Sequence, residues 1–155
     1  MDLTKKGNVI ILGAGAPHRG DTPSVLWQAG SDKLILNWIL DAVNFPNLNI
    51  KFVAGYKAES IKDSFPNIKF SINKKWQKMG STGSLLSQEI DHKYPLLVSY
   101  GDILFRKNIV KKILNSKKPI SIVWDSEFNN KNKNMKTTQF HEKIQVVNNK
   151  VLRLG

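Results

Sequence analysis

Short apolar runs alternate along this chain with stretches of helical periodicity, and that alternation narrows the fold more than any other feature. The runs are Asn8–Leu12, Ile50–Ala54, Ile68–Ile72, Pro95–Tyr100 and Ile120–Trp124. Most are continuous and bulky, as strands buried on both faces of a parallel sheet are, whereas Ile68–Ile72 alternates apolar with polar. Between them, helices are predicted over Lys33–Val43, Lys57–Ser64, Ser84–Ile90 and Asn108–Asn115. In the first of these, Asp32 is available as N-cap, and Leu34, Trp38 and Leu40 or Asp41 track the faces. Strand and helix in repeated alternation build βαβ units, hence an α/β fold with a mostly parallel central sheet.

Two further segments depart from this rhythm. Asn129–Lys136 is almost entirely Asn and Lys and reads as a mobile surface loop. Lys143–Val147 and Lys150–Leu154, joined by Asn148-Asn149, predict a C-terminal β-hairpin whose turn takes positive φ. There is no internal repeat.

The 155 residues suffice for one domain with its own core, and 41% hydrophobic content excludes a disordered tail. Cysteine is absent, which removes disulfides, thiolate zinc sites and cysteine nucleophiles together and suits a reducing, cytoplasmic setting. The bulky run Val9–Leu12 is too short for the core of a secretory signal, and nothing approaches the roughly 18 apolar residues of a membrane span. No membrane partner is expected. Net charge is +12, yet only three of the 24 basic residues are Arg, and the lysines are scattered rather than striped. A nucleic-acid partner is therefore not expected; a Lys-rich surface that attracts anionic small molecules accounts for the charge more simply.

The richest chemistry lies just after the first apolar run, in Gly13-Ala14-Gly15-Ala16-Pro17-His18-Arg19-Gly20-Asp21-Thr22-Pro23. A strand ending in Gly-Ala-Gly carries bare main-chain N–H groups to the carboxyl edge of the sheet, where open α/β folds bind ligands. Glycine admits close approach of a phosphate or base that a Cβ would block. Arg19 follows with a guanidinium fork suited to oxyanions. A dinucleotide-binding fingerprint is the rival reading. It fails at its last glycine, where His18 stands, and Pro17 interrupts the helix that should begin there. A purely structural turn is the plainer alternative.

At the end of Pro95–Tyr100 stands Gly101-Asp102, a carboxylate delivered by a strand to the same sheet edge. Asp102 suits Mg²⁺ held against substrate phosphates, or else a turn or helix N-cap. Gly80-Ser81-Thr82-Gly83-Ser84 offers small hydroxyl residues that hydrogen-bond a nucleobase edge or, more commonly, cap a helix. His18, His92 and His141 lack metal-ligand spacing. Of the four tryptophans, all read as packing residues, with Trp27 and Trp76 as candidates to flank a ligand.

In this order the pieces resemble the nucleotidyltransferase superfamily, and within it the phosphocholine and aminoethylphosphonate cytidylyltransferases. The matching stretches are Val9–Gly15 with Arg19, Leu34–Val43, Phe52–Glu59, Asn73 with Gly83-Ser84-Leu85, Tyr100-Gly101-Asp102, and Glu142-Lys143-Ile144. The resemblance implies a Rossmann-like three-layer sandwich of the nucleotide-diphospho-sugar transferase type. It implies transfer of a nucleotidyl group, from CTP, to a phosphate- or phosphonate-bearing acceptor with release of pyrophosphate. Sugar-1-phosphate nucleotidyl transfer and a non-catalytic nucleotide-binding module are the alternatives, and homo-oligomerisation is left open. Implied roles are nucleotide contact for Leu12, Gly13, Ala14, Gly15, Gly83 and Ser84, phosphate contact for Arg19, Mg²⁺ ligation for Asp102, and acceptor contact for Lys143.

Two departures accompany the resemblance. The family's loop ordinarily ends in Pro-Lys, whose lysine grips the phosphates; here Ser24 follows Pro23. Either Lys33 or another basic group substitutes, or phosphate handling is altered. Family members also continue beyond the hairpin to an acceptor-binding wall and a second metal-binding aspartate, so the sequence reads as a C-terminally incomplete version of a single domain.

Overall fold

The computed structural model describes residues 6–30, 32–128 and 143–154. The chain divides into two compact units, Met1–Ser116 and Lys117–Gly155. The first contains strands β1 (Gly7–Gly13), β2 (Leu48–Ala54), β3 (Lys69–Ile72) and β4 (Leu96–Tyr100). Between them run helices α1 (Ile35–Val43), α2 (Ala58–Ser64) and α3 (Trp76–Leu86), and α4 (Lys107–Leu114) follows. A 3₁₀ turn, Ser24–Leu26, precedes α1.

All four strands are parallel, in the order β3-β2-β1-β4. The expected mixed α/β architecture with a mainly parallel sheet is therefore what the chain forms. Alternation along β1 explains how it is covered. Val9 and Ile11 point to one face, where they are fully buried with Phe52, Leu36, Ile39, Val43, Ile61 and Val110 from β2, α1, α2 and α4. Ile10 and Leu12 point to the other, joining Val53 and packing with Leu85 of α3, Ile90 and Tyr100. Each large side chain so buried contributes about 1.5–3 kcal/mol, which is why the central strand is apolar at every position from Val9 to Leu12.

Several boundaries differ from expectation for physical reasons. Helix α1 begins at Ile35 rather than Lys33, and Asp32 does not cap it; the Leu34 N–H is instead bonded by Asn37 Oδ1 at 3.2 Å. Its buried face is Leu36, Ile39, Ala42 and Val43, which leaves Trp38 largely exposed, with its indole N–H donating to the Ala29 carbonyl at 2.7 Å. The stretch expected as a loop before Ser84 is helical from Trp76, with a break at Gly80 (φ 60°, ψ −168°), and the helix stops at Leu86 rather than Ile90. That backbone region is open essentially to glycine alone, so one residue both permits the helix and bends it.

In the second unit, β5 (Ile144–Val147) and β6 (Lys150–Leu154) form the expected antiparallel hairpin, and Asn148 and Asn149 both take positive φ. The strand expected at Ile120–Trp124 does not form: these residues lie outside both sheets, and Ile120, Ile122, Val123 and Trp124 are exposed. Apolar β-branched sequence suits a pleated surface but becomes a strand only where a neighbour supplies the ladder. The Asn/Lys-rich segment, together with His141 and Glu142, lies outside the described residues. No helix among the described residues is long and apolar enough to cross a membrane.

Candidate functional site

Parallel strands with a common direction end at a common edge, and the glycine-rich loop is built on that edge. Leu12 of β1 lies opposite Tyr100 of β4 in the ladder, and Gly13 lies opposite Ala54 of β2. The pairing continues just beyond the strands: Gly101 N–H donates to Leu12 O at 2.8 Å, Tyr56 N–H to Ala14 O at 2.8 Å, and Asn73 N–H to Ala54 O at 2.8 Å. The main-chain cradle of Gly13–Gly15 and the residue before Asp102 are thus adjacent. Two strand ends far apart in sequence deliver them to one place.

Four glycines sit on this edge, and packing explains three. A Cβ on Gly13 would meet the Phe52 ring at 2.3 Å, one on Gly55 the Ala14 carbonyl oxygen at 2.6 Å, and one on Gly101 the Val25 side chain at 2.8 Å. Gly15 is different. A Cβ there would stand in open space, with nothing within 4 Å, and its φ lies outside the positive range reserved for glycine. Packing does not require glycine at position 15, whereas close approach of a ligand to its main chain would.

The loop is fixed at both ends. At its base Ala14 accepts from Tyr56 N–H; at its far end Thr22 O accepts the Trp27 indole N–H at 2.9 Å, and Pro23 is buried. Asp21 adds a side-chain anchor: one carboxylate oxygen accepts from the Tyr56 hydroxyl and the other from the Lys57 ammonium. Tyr56 is braced in turn by Trp76, edge to face, with ring centroids 5.7 Å apart. Between the anchors Gly15–Gly20 is mostly exposed, and Arg19 lies within it. Among the described residues, Arg19 joins neither ion pair, Lys33–Asp41 or Lys57–Asp21.

The Lys57 and Tyr56 bonds hold the Asp21 carboxyl below its ordinary value of 3.8, the lysine being the larger cause. Asp21 in turn pushes the Lys57 ammonium above 10.5 and the Tyr56 phenol above 10.0. The signs define a pH window. Asp21's contribution is present above its unfolded value and disappears as pH falls through the lower folded one; those of Lys57 and Tyr56 are present below their unfolded values and disappear as pH rises through the raised ones. The anchor therefore holds across the neutral range and opens in strong acid and strong base. In a spectrophotometric titration, Asp21→Asn should move one tyrosine of three to a lower ionisation pH. An unchanged titration would remove the Tyr56–Asp21 bond from this description.

Other expected site residues have structural duties. The Ser84 side chain is buried, donates to Gly80 O at 2.8 Å and accepts from the Asn73 amide at 2.9 Å. Asn73 is also buried and accepts from the Lys75 N–H at 2.9 Å. Gly83 is packed against Met79, whose Cβ would lie 2.5 Å from an added Cβ. Both residues thus hold the bend of α3, and the Ser84 hydroxyl is already committed on both sides. Ser84→Ala leaves a buried amide without its acceptor and should lower stability by about 1–3 kcal/mol, read as a shifted urea midpoint at constant slope.

Lys33, one candidate for the missing loop lysine, is turned away: its ammonium bonds Asp41 at 2.7 Å and stands 4.9 Å from the centre of the Trp38 ring. Lys143 is exposed at the start of the hairpin, in the second unit, and is not among the residues that the first unit assembles. Asp21, Tyr56 and Lys57 were given no role by sequence reasoning. The available signal was a Gly-Tyr-Lys directly after a buried parallel strand, but only the fold shows which loop it meets.

Asp102 is exposed in a turn after β4. No group of three or more His, Cys, Asp or Glu able to hold a metal occurs among the described residues. A single exposed carboxylate such as that of Asp102 fits Mg²⁺ brought by a polyphosphate, since this ion takes one or two carboxylates, substrate phosphates and water.

No protein-family model matches the chain. The sequence is similar to the CTP:phosphoglutamine cytidylyltransferase of Campylobacter jejuni, with 27% identity over 136 residues, 78% of this chain and 53% of that protein. The chain thus spans about half the length of the curated relative it matches. Its fold is similar to that in the crystal structure of Rv0371c from Mycobacterium tuberculosis H37Rv, with a TM-score of 0.53 and 17% identity over 72% of this chain and 59% of that one. The structural likeness speaks to the fold alone; the sequence likeness supports a cytidylyltransferase-like nucleotidyltransferase.

Proposed function

We propose that this chain is the nucleotide-binding part of a cytoplasmic, Mg²⁺-dependent nucleotidyltransferase that moves a cytidylyl group from CTP to a small phosphate- or phosphonate-bearing acceptor. The observation that carries the reading is the adjacency at one sheet edge of the Gly13–Gly15 main chain, open at Gly15, and the strand end that leads into Asp102. Similarity to a cytidylyltransferase favours CTP among the nucleotides.

In this reading an acceptor phosphate or phosphonate oxygen attacks the α-phosphorus. The bond from that phosphorus to the β-phosphate bridging oxygen breaks, and pyrophosphate leaves in line. No covalent enzyme intermediate forms, so the protein acts by positioning and by neutralising charge. Main-chain groups from Leu12 to Gly15 hold base and ribose, and Gly83 and Ser84 act indirectly by setting the bend of α3. Arg19 meets the terminal phosphates and the departing pyrophosphate. Asp102 ligates Mg²⁺, whose contribution when bound is to offset negative charge on the phosphates. Lys143 is the candidate for the acceptor anion.

A thermal-shift panel of CTP, UTP, GTP, ATP and NAD, each with and without Mg²⁺, tests the reading. CTP with Mg²⁺ should stabilise the chain most, by about 2.7 kcal/mol at a hundredfold excess over Kd. Equal response to every nucleotide, or to NAD above all, would contradict it.

A further inference from the structure

We propose that Lys57 is a phosphate-binding residue of this site and that Asp21 is its internal placeholder, an oxyanion that a polyphosphate displaces. The proposal rests on the nucleotidyltransferase reading for the identity of the ligand, but not for the existence of the anion site.

Position is the first ground. The peptide N–H immediately before Lys57 is bonded to the glycine-rich loop at Ala14, so Lys57 leaves the sheet one residue from the cradle. Conformation is the second. Lys57 has φ 44° and ψ 43°, a left-handed geometry unusual for a non-glycine residue and tolerated where the surroundings impose it. Here the turn between β2 and α2 directs the ammonium onto the loop that carries Arg19 rather than along its own helix.

The third ground is what the donors hold. Lys57 Nζ and Tyr56 Oη converge on one carboxylate, each donating to a different oxygen of Asp21. A cationic and a neutral donor aimed at two oxygens of one anion suit a phosphate equally well. Asp21 is a weak holder of that place, because its side chain is 78% exposed and solvent screens the pair. A polyphosphate brings more charge and more acceptor oxygens to the same donors.

A purely structural role, in which Lys57 and Asp21 only anchor the loop, makes a different prediction: breaking the pair from either side should have the same consequence. Competition gives opposite signs. Isothermal titration of the full chain with Mg²⁺·CTP, cytidine and tripolyphosphate separates the two for the wild type, Lys57→Met, Lys57→Arg and Asp21→Asn. Lys57→Met should weaken CTP and tripolyphosphate by on the order of tenfold or more, the scale of one lost charge-assisted hydrogen bond, and leave cytidine unchanged. Lys57→Arg should retain most of the affinity, and Asp21→Asn should tighten tripolyphosphate.

Weakening of all ligands alike by Lys57→Met and Asp21→Asn would overturn the proposal, as would unchanged anion affinity in Lys57→Met. Should Lys57→Met fail to fold, Asp21→Asn decides alone: weaker tripolyphosphate binding refutes displacement. Wild-type affinity for tripolyphosphate with none for CTP would remove the nucleotidyltransferase reading and leave Lys57 to be judged on the tripolyphosphate data. Binding of neither would end both.

Discussion

Asp102→Ala should lower metal-dependent pyrophosphate release from CTP by on the order of 10²–10³ while leaving the fold unchanged. The asymmetry follows from where the residue stands. Asp102 is exposed in a turn, and its replacement removes no buried atom, so the stability change should stay within about 0.5 kcal/mol. The duty proposed for it, in contrast, is to ligate the ion that offsets phosphate charge, and that is lost with the carboxylate. The assay is pyrophosphate release by the active enzyme with phosphocholine, aminoethylphosphonate or phosphoglutamine as acceptor. Circular dichroism run beside it should superimpose on the wild type. Full turnover in the variant would take Asp102 out of the chemistry.

A contrasting pair of glycine substitutions should show the second large effect. In Gly55→Ala the new methyl would lie 2.6 Å from the Ala14 carbonyl oxygen and 2.7 Å from Trp76 Cγ. Neither neighbour is free to yield. The carbonyl already accepts the Tyr56 N–H, and the indole braces Tyr56. Overpacking of this kind costs about 1–3 kcal/mol, and any relief must come from the turn that anchors the glycine-rich loop. Gly55→Ala should therefore lower both the melting temperature and CTP affinity.

Gly15→Ala meets nothing within 4 Å and should leave stability alone. Its effect should fall on nucleotide binding, because the methyl would occupy space that a ligand needs. Melting curves and CTP titrations of the two variants make the comparison. If Gly15→Ala binds CTP as the wild type does, the cradle lies elsewhere on the edge.

Much of this arrangement was legible before any coordinates. Buried parallel strands are written as continuous apolar runs, because both faces of the sheet must be covered, so β1 and β2 could be located with small errors at their ends. The β4 strand carries a similar run and was located too, although it is an edge strand with Leu96 and Val98 exposed. The paired asparagines of the hairpin announced their own turn, since few other residues accept positive φ at two successive positions. Ile120–Trp124 misled because its pattern reports only suitability for a sheet, not the presence of a neighbour. The loop before Ser84 misled in the opposite sense. Glycine and hydroxyl residues read as a break, yet a single bend at Gly80 accommodates them inside a helix.

Within the candidate site, the division falls between what a residue type can do and what it touches. Local sequence was enough to determine that a bare main-chain loop follows one strand and a carboxylate follows another, because strand ends and glycines are marked by short-range sterics. Only tertiary structure decided that those ends are neighbours, that Ser84 and Gly83 serve the bend of α3, that Lys33 is held by Asp41, and that Lys57 reaches Asp21. Each of these depends on parallel pairing across the sheet or on a side chain choosing among several partners within reach. Such choices are settled by competition in three dimensions, which no window of sequence contains.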